Sequence, residues 1–153
     1  MAEETGKILC ARAIVVDPVL LQIEDLHPKT ASSLREWIEV LPNNASSPAR
    51  PWSGVVVNAN IATRAHRDKG DKRFCMVLVI SDCQRGDLVL HELGLVIACR
   101  NGDASIFRSV GLTHYNLDFD GKRASLVFHN DRAGDRWAKD ANGWIENIYF
   151  GQG

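Results

Sequence analysis

At 153 residues, the chain is the size of one compact domain with a single core. Its 45% hydrophobic and 24% charged residues are those of an ordinary globular protein, and a formal net charge of −1 excludes a general polyanion binder. Any nucleic-acid contact must therefore come from a local patch.

Residues 7–16 (KILCARAIVV) are rich in β-branched and apolar side chains and end at Asp17-Pro18, which predicts a strand. A helix follows. Thr30 or Ser32 can cap it, Leu34, Trp37, Ile38 and Leu41 repeat at the spacing of one apolar face, and Pro42 stops it. Residues 43–51 (NNASSPARP) form a polar, proline-bearing loop. After Trp52 the pattern changes to short apolar runs at 54–61, 74–80, 87–91, 94–98, 104–108, 112–119 and 123–129. Turn signals such as Lys69-Gly70-Asp71, Arg85-Gly86-Asp87, Asn101-Gly102-Asp103 and Asp120-Gly121-Lys122 separate them. Many short strands at this spacing predict a sandwich or barrel. The tail after Asp131, with Trp137 and Ala138, predicts a short helix ending near Asn142-Gly143, and the Trp137–Trp144 region a packing flap. The expectation is one mainly β domain over 1–153 with flanking helices. A supporting strand and helix occupy 1–51, a jelly-roll core about 52–132, and a C-terminal flap 133–153.

Cys10, Cys75, Cys83 and Cys99 form no C-x-x-C pair, so no zinc framework is visible, and a reducing compartment suits them best. Cys75, inside the apolar run from Phe74 to Leu78, reads as a small buried thiol. The acidic Glu3-Glu4 start lacks a signal-peptide pattern, and no apolar stretch is long enough to span a bilayer. These features predict an intracellular protein, cytoplasmic or nuclear and not secreted, with no membrane partner.

His66-Arg67-Asp68 is the first group of chemical interest. Residues i and i+2 of an extended chain point to one side, so one strand end can present an imidazole nitrogen and a carboxylate oxygen together. An isolated H-x-D carries little weight, but this one has company downstream. His114 lies beside further strand signals, and Arg123-Ala124-Ser125 opens the last strand. Two histidines and one carboxylate on one metal face leave open positions, the arrangement of non-haem Fe(II) oxygenases. Two of those positions suit the 2-oxo and carboxylate oxygens of 2-oxoglutarate and the third suits O2. The far carboxylate of that cosubstrate needs a planar, bidentate cation, which Arg123 supplies better than a lysine could, and Ser125 faces the same way.

From about Val55 to Arg132, roughly half the chain, the sequence resembles the 2-oxoglutarate/Fe(II) dioxygenase superfamily with its double-stranded β-helix, a jelly-roll, cupin-like core. More narrowly, it is similar to the small fungal members of the TET/JBP nucleobase-oxygenase group. The likeness is carried by Asn58-Ala59-Asn60, His66-Arg67-Asp68-Lys69-Gly70-Asp71, Gly86-Asp87-Leu88-Val89-Leu90, Gly102-Asp103, and the stretch from His114 to His129. The resemblance implies iron ligands at His66, Asp68 and His114, and 2-oxoglutarate contacts at Arg123 and Ser125. The implied activity is hydroxylation of a C–H bond with Fe(II), 2-oxoglutarate and O2, ascorbate serving as reductant. The substrate expected first is the methyl group of 5-methylcytosine or thymine in nucleic acid. Hydroxylation of a peptide or small molecule is the alternative, and a non-catalytic jelly-roll binding module or a cupin-like protein with another metal is the alternative outside that class. The chain lacks the cysteine-rich segment of animal TET enzymes and the separate DNA-binding domain of JBP.

Other residues have weaker expectations. Asn58 and Asn60 alternate with Val55, Val57 and Ala59 and can face inward as cosubstrate or substrate contacts, with polar groups satisfied at the turn as the alternative. Arg64, Arg67, Lys69, Lys72 and Arg73 surround the metal motif and make a local basic patch for DNA or RNA. His91 and His129 read as structural histidines with a cosubstrate contact as the alternative, Trp52 as a core or lid aromatic with stacking on a flipped base as the alternative, and His27 carries no functional signal.

Overall fold

A computed structural model describes residues 9–12, 25, 28, 29, 31, 32, 34 and 51–139. The strands are β1 (Leu9–Arg12), β2 (Gly54–Ala59), β3 (Cys75–Ser81), β4 (Gln84–Arg85), β5 (Leu88–Leu90), β6 (Leu95–Ile97), β7 (Asp103–Phe107), β8 (His114–Asn116), β9 (Phe119–Asp120) and β10 (Arg123–His129). A large five-stranded sheet has the order β1-β7-β3-β10-β2, and a smaller one the order β6-β5-β8. All their pairings are antiparallel. The architecture is the mainly β, double-stranded β-helix expected from the sequence.

Alternation decides which residues meet. In β10, Ser125 and Val127 pair with Asn58 and Val56 of β2 on one side and with Val79 and Val77 of β3 on the other. Members of this row face inward and line a cavity of about 420 Å³ between the sheets. The intervening residues face outward. There Met76, Ala104, Ile106 and Phe128 pack with Trp52 and Ala31, and Trp52 meets Phe128 at 5.8 Å between ring centroids. Trp52 is wholly buried, so it belongs to the core and cannot stack on a substrate. A second apolar cluster, Cys75, Val79, Leu88, Leu90, Cys99 and Phe107, packs beside the cavity. Each large side chain buried in this way is worth about 1.5–3 kcal/mol.

Three expectations change. The run 112–119 is not one strand: the chain breaks at Leu117–Asp118, where Leu117 N–H donates to Asp87 O and Asp118 O accepts from Gly86 N–H. The segment beyond, β9, pairs with the polar β4 instead. His91 leaves the sheet for a 3-10 turn, His91–Leu93, closed by Gly94 in the left-handed region. Pro28, Lys29, Ala31, Ser32 and Leu34 are helical, so helical backbone begins before the anticipated caps at Thr30 or Ser32. The stripe residues Trp37, Ile38 and Leu41 lie outside the described residues, as does everything past Lys139. The C-terminal flap is described only as the helix Ala133–Lys139. Among the described residues no helix is long and apolar enough to cross a membrane.

Candidate active site

The chain leaves β2 at Asn60, whose φ of 53° is tolerated better by asparagine than by most residues. This bend is fastened to β10: Asn60 N–H donates to Arg123 O at 2.7 Å, and Arg123 N–H donates to Asn60 Oδ1 at 2.9 Å. The Asn60 side chain therefore does not line the cavity and holds the backbone of Arg123, a correction to the inward orientation expected for it. Asn58 does line the cavity, opposite Ser125. Next, Thr63 is tied to Asn116 of β8, its N–H and hydroxyl both donating to Asn116 Oδ1 at 2.7 and 2.6 Å. Asn116 sits two residues after His114 and so shares its face, a period-two signal that could have found it.

His66 and His114 form an isolated antiparallel bridge. The loop carrying His66 and Asp68 is thereby laid beside β8. Both imidazoles are oriented alike: Nδ1 of His66 lies 2.6 Å from Arg64 O, and Nδ1 of His114 lies 2.9 Å from Leu112 O. A carbonyl can only accept, so each Nδ1 carries a proton and Nε2 is the nitrogen that a metal can take as ligand once its own proton is released. Both Nε2 atoms turn towards Asp68, at 3.5 Å (His66 to Oδ1) and 3.4 Å (His114 to Oδ2). The contact from His114 holds the Asp68 carboxyl below its usual range against the opposing effect of burial. Burial disfavours charge on His114, yet Asp68 and the Leu112 carbonyl together raise its pKa. His66, Asp68 and His114 can each offer one donor atom, all within 4.8 Å of one another. Donor atoms of Asp68, Asp71 and Cys75 also lie within 4.8 Å of one another. That set is a poorer metal site: burial pushes the Cys75 thiol well up, so it stays protonated, and Asp71 Oδ2 already accepts from Ser109 Oγ at 2.6 Å.

Across the cavity, Arg123 is 6% exposed. Its guanidinium lies 5.9 Å from the centroid of the Phe119 ring. Gly86, at φ +80°, makes room for it: a Cβ there would lie 3.0 Å from Phe119 Cβ and 3.4 Å from Arg123 Cδ and Nε. Arg123 Nε is buried without a hydrogen-bond partner, a costly state for a charged donor unless an anion binds there. Ser125, 4% exposed, lines the same cavity two residues further along β10. A donor set of two imidazoles and a carboxylate, sharing a cavity with an arginine whose buried Nε has no partner, fits a divalent metal with a dicarboxylate cosubstrate.

His129 and Asp71 also line the cavity. Their Nδ1 and Oδ1 approach to 3.3 Å, but the alignment is too poor for a hydrogen bond. Burial raises the Asp71 carboxyl pKa, with Asp68 adding to the effect. His129 stands four residues after Ser125 on the inward face, a position that alternation alone indicates. The basic patch is smaller than its composition suggests. Arg67 pairs with Glu92 at 2.6 Å and Lys72 with Asp135 at 2.7 Å, while Arg64, Lys69 and Arg73 are exposed. His91 is exposed in its turn and does not line the cavity.

No family model and no curated protein matches the chain. Among solved structures, NgTET1 in complex with 5mC DNA superposes with a TM-score of 0.63 at 15% identity, covering 79% of this chain and 50% of that one. The chain has a TET-like double-stranded β-helix fold. It spans half the length of that NgTET1 chain. A viral collagen prolyl hydroxylase, vCPH from Paramecium Bursaria Chlorella virus-1 in its 2OG complex, aligns at 9% identity and TM-score 0.42 over 84% of this chain and 98% of its own.

Proposed function

We propose that the chain is an Fe(II)- and 2-oxoglutarate-dependent oxygenase. His66, Asp68 and His114 hold the metal, and Arg123 with Ser125 holds the far carboxylate of the cosubstrate. One observation carries this reading: two imidazole Nε2 atoms freed by Nδ1–carbonyl bonds share a cavity with a buried guanidinium nitrogen that has no partner. A non-catalytic binding module, or a cupin-like protein using its metal alone, would have no use for that cation. When bound, Fe(II) and 2-oxoglutarate supply activation of O2, with decarboxylation to succinate and CO2 and transfer of one oxygen atom to a C–H bond.

The chain's own residues do the rest. His66, Asp68 and His114 would hold the metal, and the coordination positions they do not fill would be open to cosubstrate and O2. Arg123 fixes the cosubstrate's orientation through paired charge-assisted bonds. Val56, Val77, Leu88 and Val127 give the cavity apolar walls.

The substrate we favour is the methyl group of 5-methylcytosine or thymine in nucleic acid, taken out of any stack. The fold likeness to a structure bound to 5mC DNA supports this choice, as do a cavity large enough for a base and the exposed Arg64, Lys69 and Arg73 beside it. Hydroxylation of a peptide or small molecule is the second reading, favoured by the pairing of Arg67 and Lys72 with carboxylates. The free thiols Cys75, Cys83 and Cys99 support an intracellular setting, cytoplasmic or nuclear. The test is succinate release from 2-oxoglutarate with Fe(II) and ascorbate, followed by mass spectrometry of methylated DNA, RNA and peptide pools. Product in the nucleic-acid pools is expected; product in the peptide pool alone overturns the substrate, and no succinate from any pool overturns the oxygenase.

A further inference from the structure

The segment that carries His66 and Asp68 is not a regular strand. Between Ala59 and Cys75 it is anchored by isolated bridges. His66 exchanges backbone hydrogen bonds with His114 at 3.1 and 2.9 Å, and Asp68 N–H donates to Ser109 O at 3.1 Å. Yet a metal site needs its ligands placed to within about 0.5 Å. The side chain between the two ligands supplies a further tie. Arg67 Nε donates to Thr113 Oγ1 at 2.9 Å, and its Nη2 donates to Glu92 Oε1 at 2.6 Å. Thr113 immediately precedes the third ligand, His114. It donates its N–H to Glu92 Oε2 at 2.7 Å and its hydroxyl to Glu92 Oε1 at 2.6 Å. Glu92 itself stands in the 3-10 turn, where the neighbouring His91 N–H donates to Thr113 O at 2.9 Å. One carboxylate outside the cavity thus gathers the residue between the first two ligands and the residue before the third.

Resting on the metal site proposed above, we infer that Glu92 is a positioning residue: through Arg67 and Thr113 it clamps the His66–Asp68 segment onto the start of β8 and sets the affinity for the metal. The bonds it accepts, Thr113's first and Arg67's after it, lower its carboxyl pKa to about 2, so it accepts as a carboxylate at any working pH. The Arg67–Glu92 pair is solvent-screened, with side chains 46% and 32% exposed. Such pairs add little to global stability. Their local effect is larger here, because freeing the clamp lets two ligands move relative to the third. Outer partners of metal ligands commonly change affinity about 10–100-fold.

The test is titration of Co(II), a probe insensitive to ascorbate and O2 cycling, into the full chain and its E92A, E92Q, R67A and R67A/E92A variants. Its visible absorption band reports ligand geometry, and thermal melting is followed on the same metal-free proteins. E92A is expected to bind Co(II) about tenfold more weakly, with an altered band and a nearly unchanged melting temperature. E92Q, whose amide cannot accept all the bonds that the carboxylate does, should fall between E92A and the parent. The double variant should be no weaker than the weaker single one, since both residues act through one strap. Parental affinity and band in E92A would overturn the inference, as would additive losses or a melting loss that accounts for the weaker binding. A parent that binds no Co(II) would instead overturn the metal site itself, and the strap with it.

Discussion

The two histidines of the site are held in unlike ways. His114 opens β8, is 6% exposed, and packs against the Phe107 ring at 4.8 Å between centroids. The His66 side chain is 42% exposed and belongs to a segment pinned by two isolated bridges, a few backbone bonds and the Arg67–Glu92 strap. One half of the proposed metal site is therefore preformed by the sheet, and the other half is tethered to it. In such a design, ligand identity governs chemistry equally on both sides, while the cost to the fold differs between them.

The largest effects test that asymmetry. His66→Ala, Asp68→Ala and His114→Ala should each abolish turnover and weaken metal binding, since each removes one of the three proposed protein ligands. Stability should separate them. His114→Ala empties a packed site and should cost about 1–3 kcal/mol, whereas exposed His66→Ala should stay within about 0.5 kcal/mol. Denaturant unfolding of the metal-free variants measures this, and equal losses would mean that the loop is as firmly built as the strand.

Arg123 extends the contrast to the opposite wall of the cavity. Arg123→Ala should leave metal binding almost intact but strand the cosubstrate's far carboxylate, at about 2–5 kcal/mol. That is roughly thirtyfold to several-thousandfold weaker 2-oxoglutarate binding. It can be read by anaerobic titration of the Fe(II) protein through its charge-transfer band. Arg123→Lys keeps the charge without the fork and should chiefly raise the apparent KM for 2-oxoglutarate. Undiminished binding in Arg123→Ala would remove this residue from the site. A smaller effect is expected from Gly86→Ala, which places a Cβ at φ +80° and 3.0 Å from Phe119 Cβ. It should cost about 1–3 kcal/mol of stability and weaken 2-oxoglutarate binding by less than Arg123→Ala does, because the guanidinium is crowded and not lost.

Legibility in the sequence divides along the same line. Alternation along β10 puts Arg123 and Ser125 on one face, and register adds Asn58 opposite, so strand-borne residues could be placed from period two alone. His66 and Asp68 were legible as a pair for the same reason, although their segment has no regular strand. The side chains that fasten loops were not legible. Asn60 resembles Asn58 in sequence, yet a φ of 53° turns its amide onto the Arg123 backbone. Glu92 and Thr113 are far in sequence from Arg67, and only the folded chain shows that they meet. The pairing of β4 with β9 escaped because Gln84-Arg85 has no apolar pattern to read. The basic patch was overcounted because carboxylates from the 3-10 turn and the C-terminal helix neutralise two of its members.

That overcounting leads to the smallest effect, which concerns the exposed side of the tethered loop. If nucleic acid is the substrate, phosphates should be met by the exposed Arg64, Lys69 and Arg73, whereas the Lys72 ammonium is already 2.7 Å from Asp135 Oδ1. A contact to a phosphate releases a counterion, so each one lost lowers the slope of log affinity against log salt by about 0.7 on a single strand and about 0.9 on a duplex. Lys69→Ala should flatten the slope by roughly that amount, as measured with a methylated oligonucleotide at a series of salt concentrations. Lys72→Ala should change it less, because its charge is offset before any phosphate arrives. Equal flattening by the two would show that the Lys72–Asp135 pair opens when nucleic acid binds. An affinity independent of salt in the parent would move the substrate from nucleic acid to a peptide or small molecule, leaving the metal site and Arg123 as they stand.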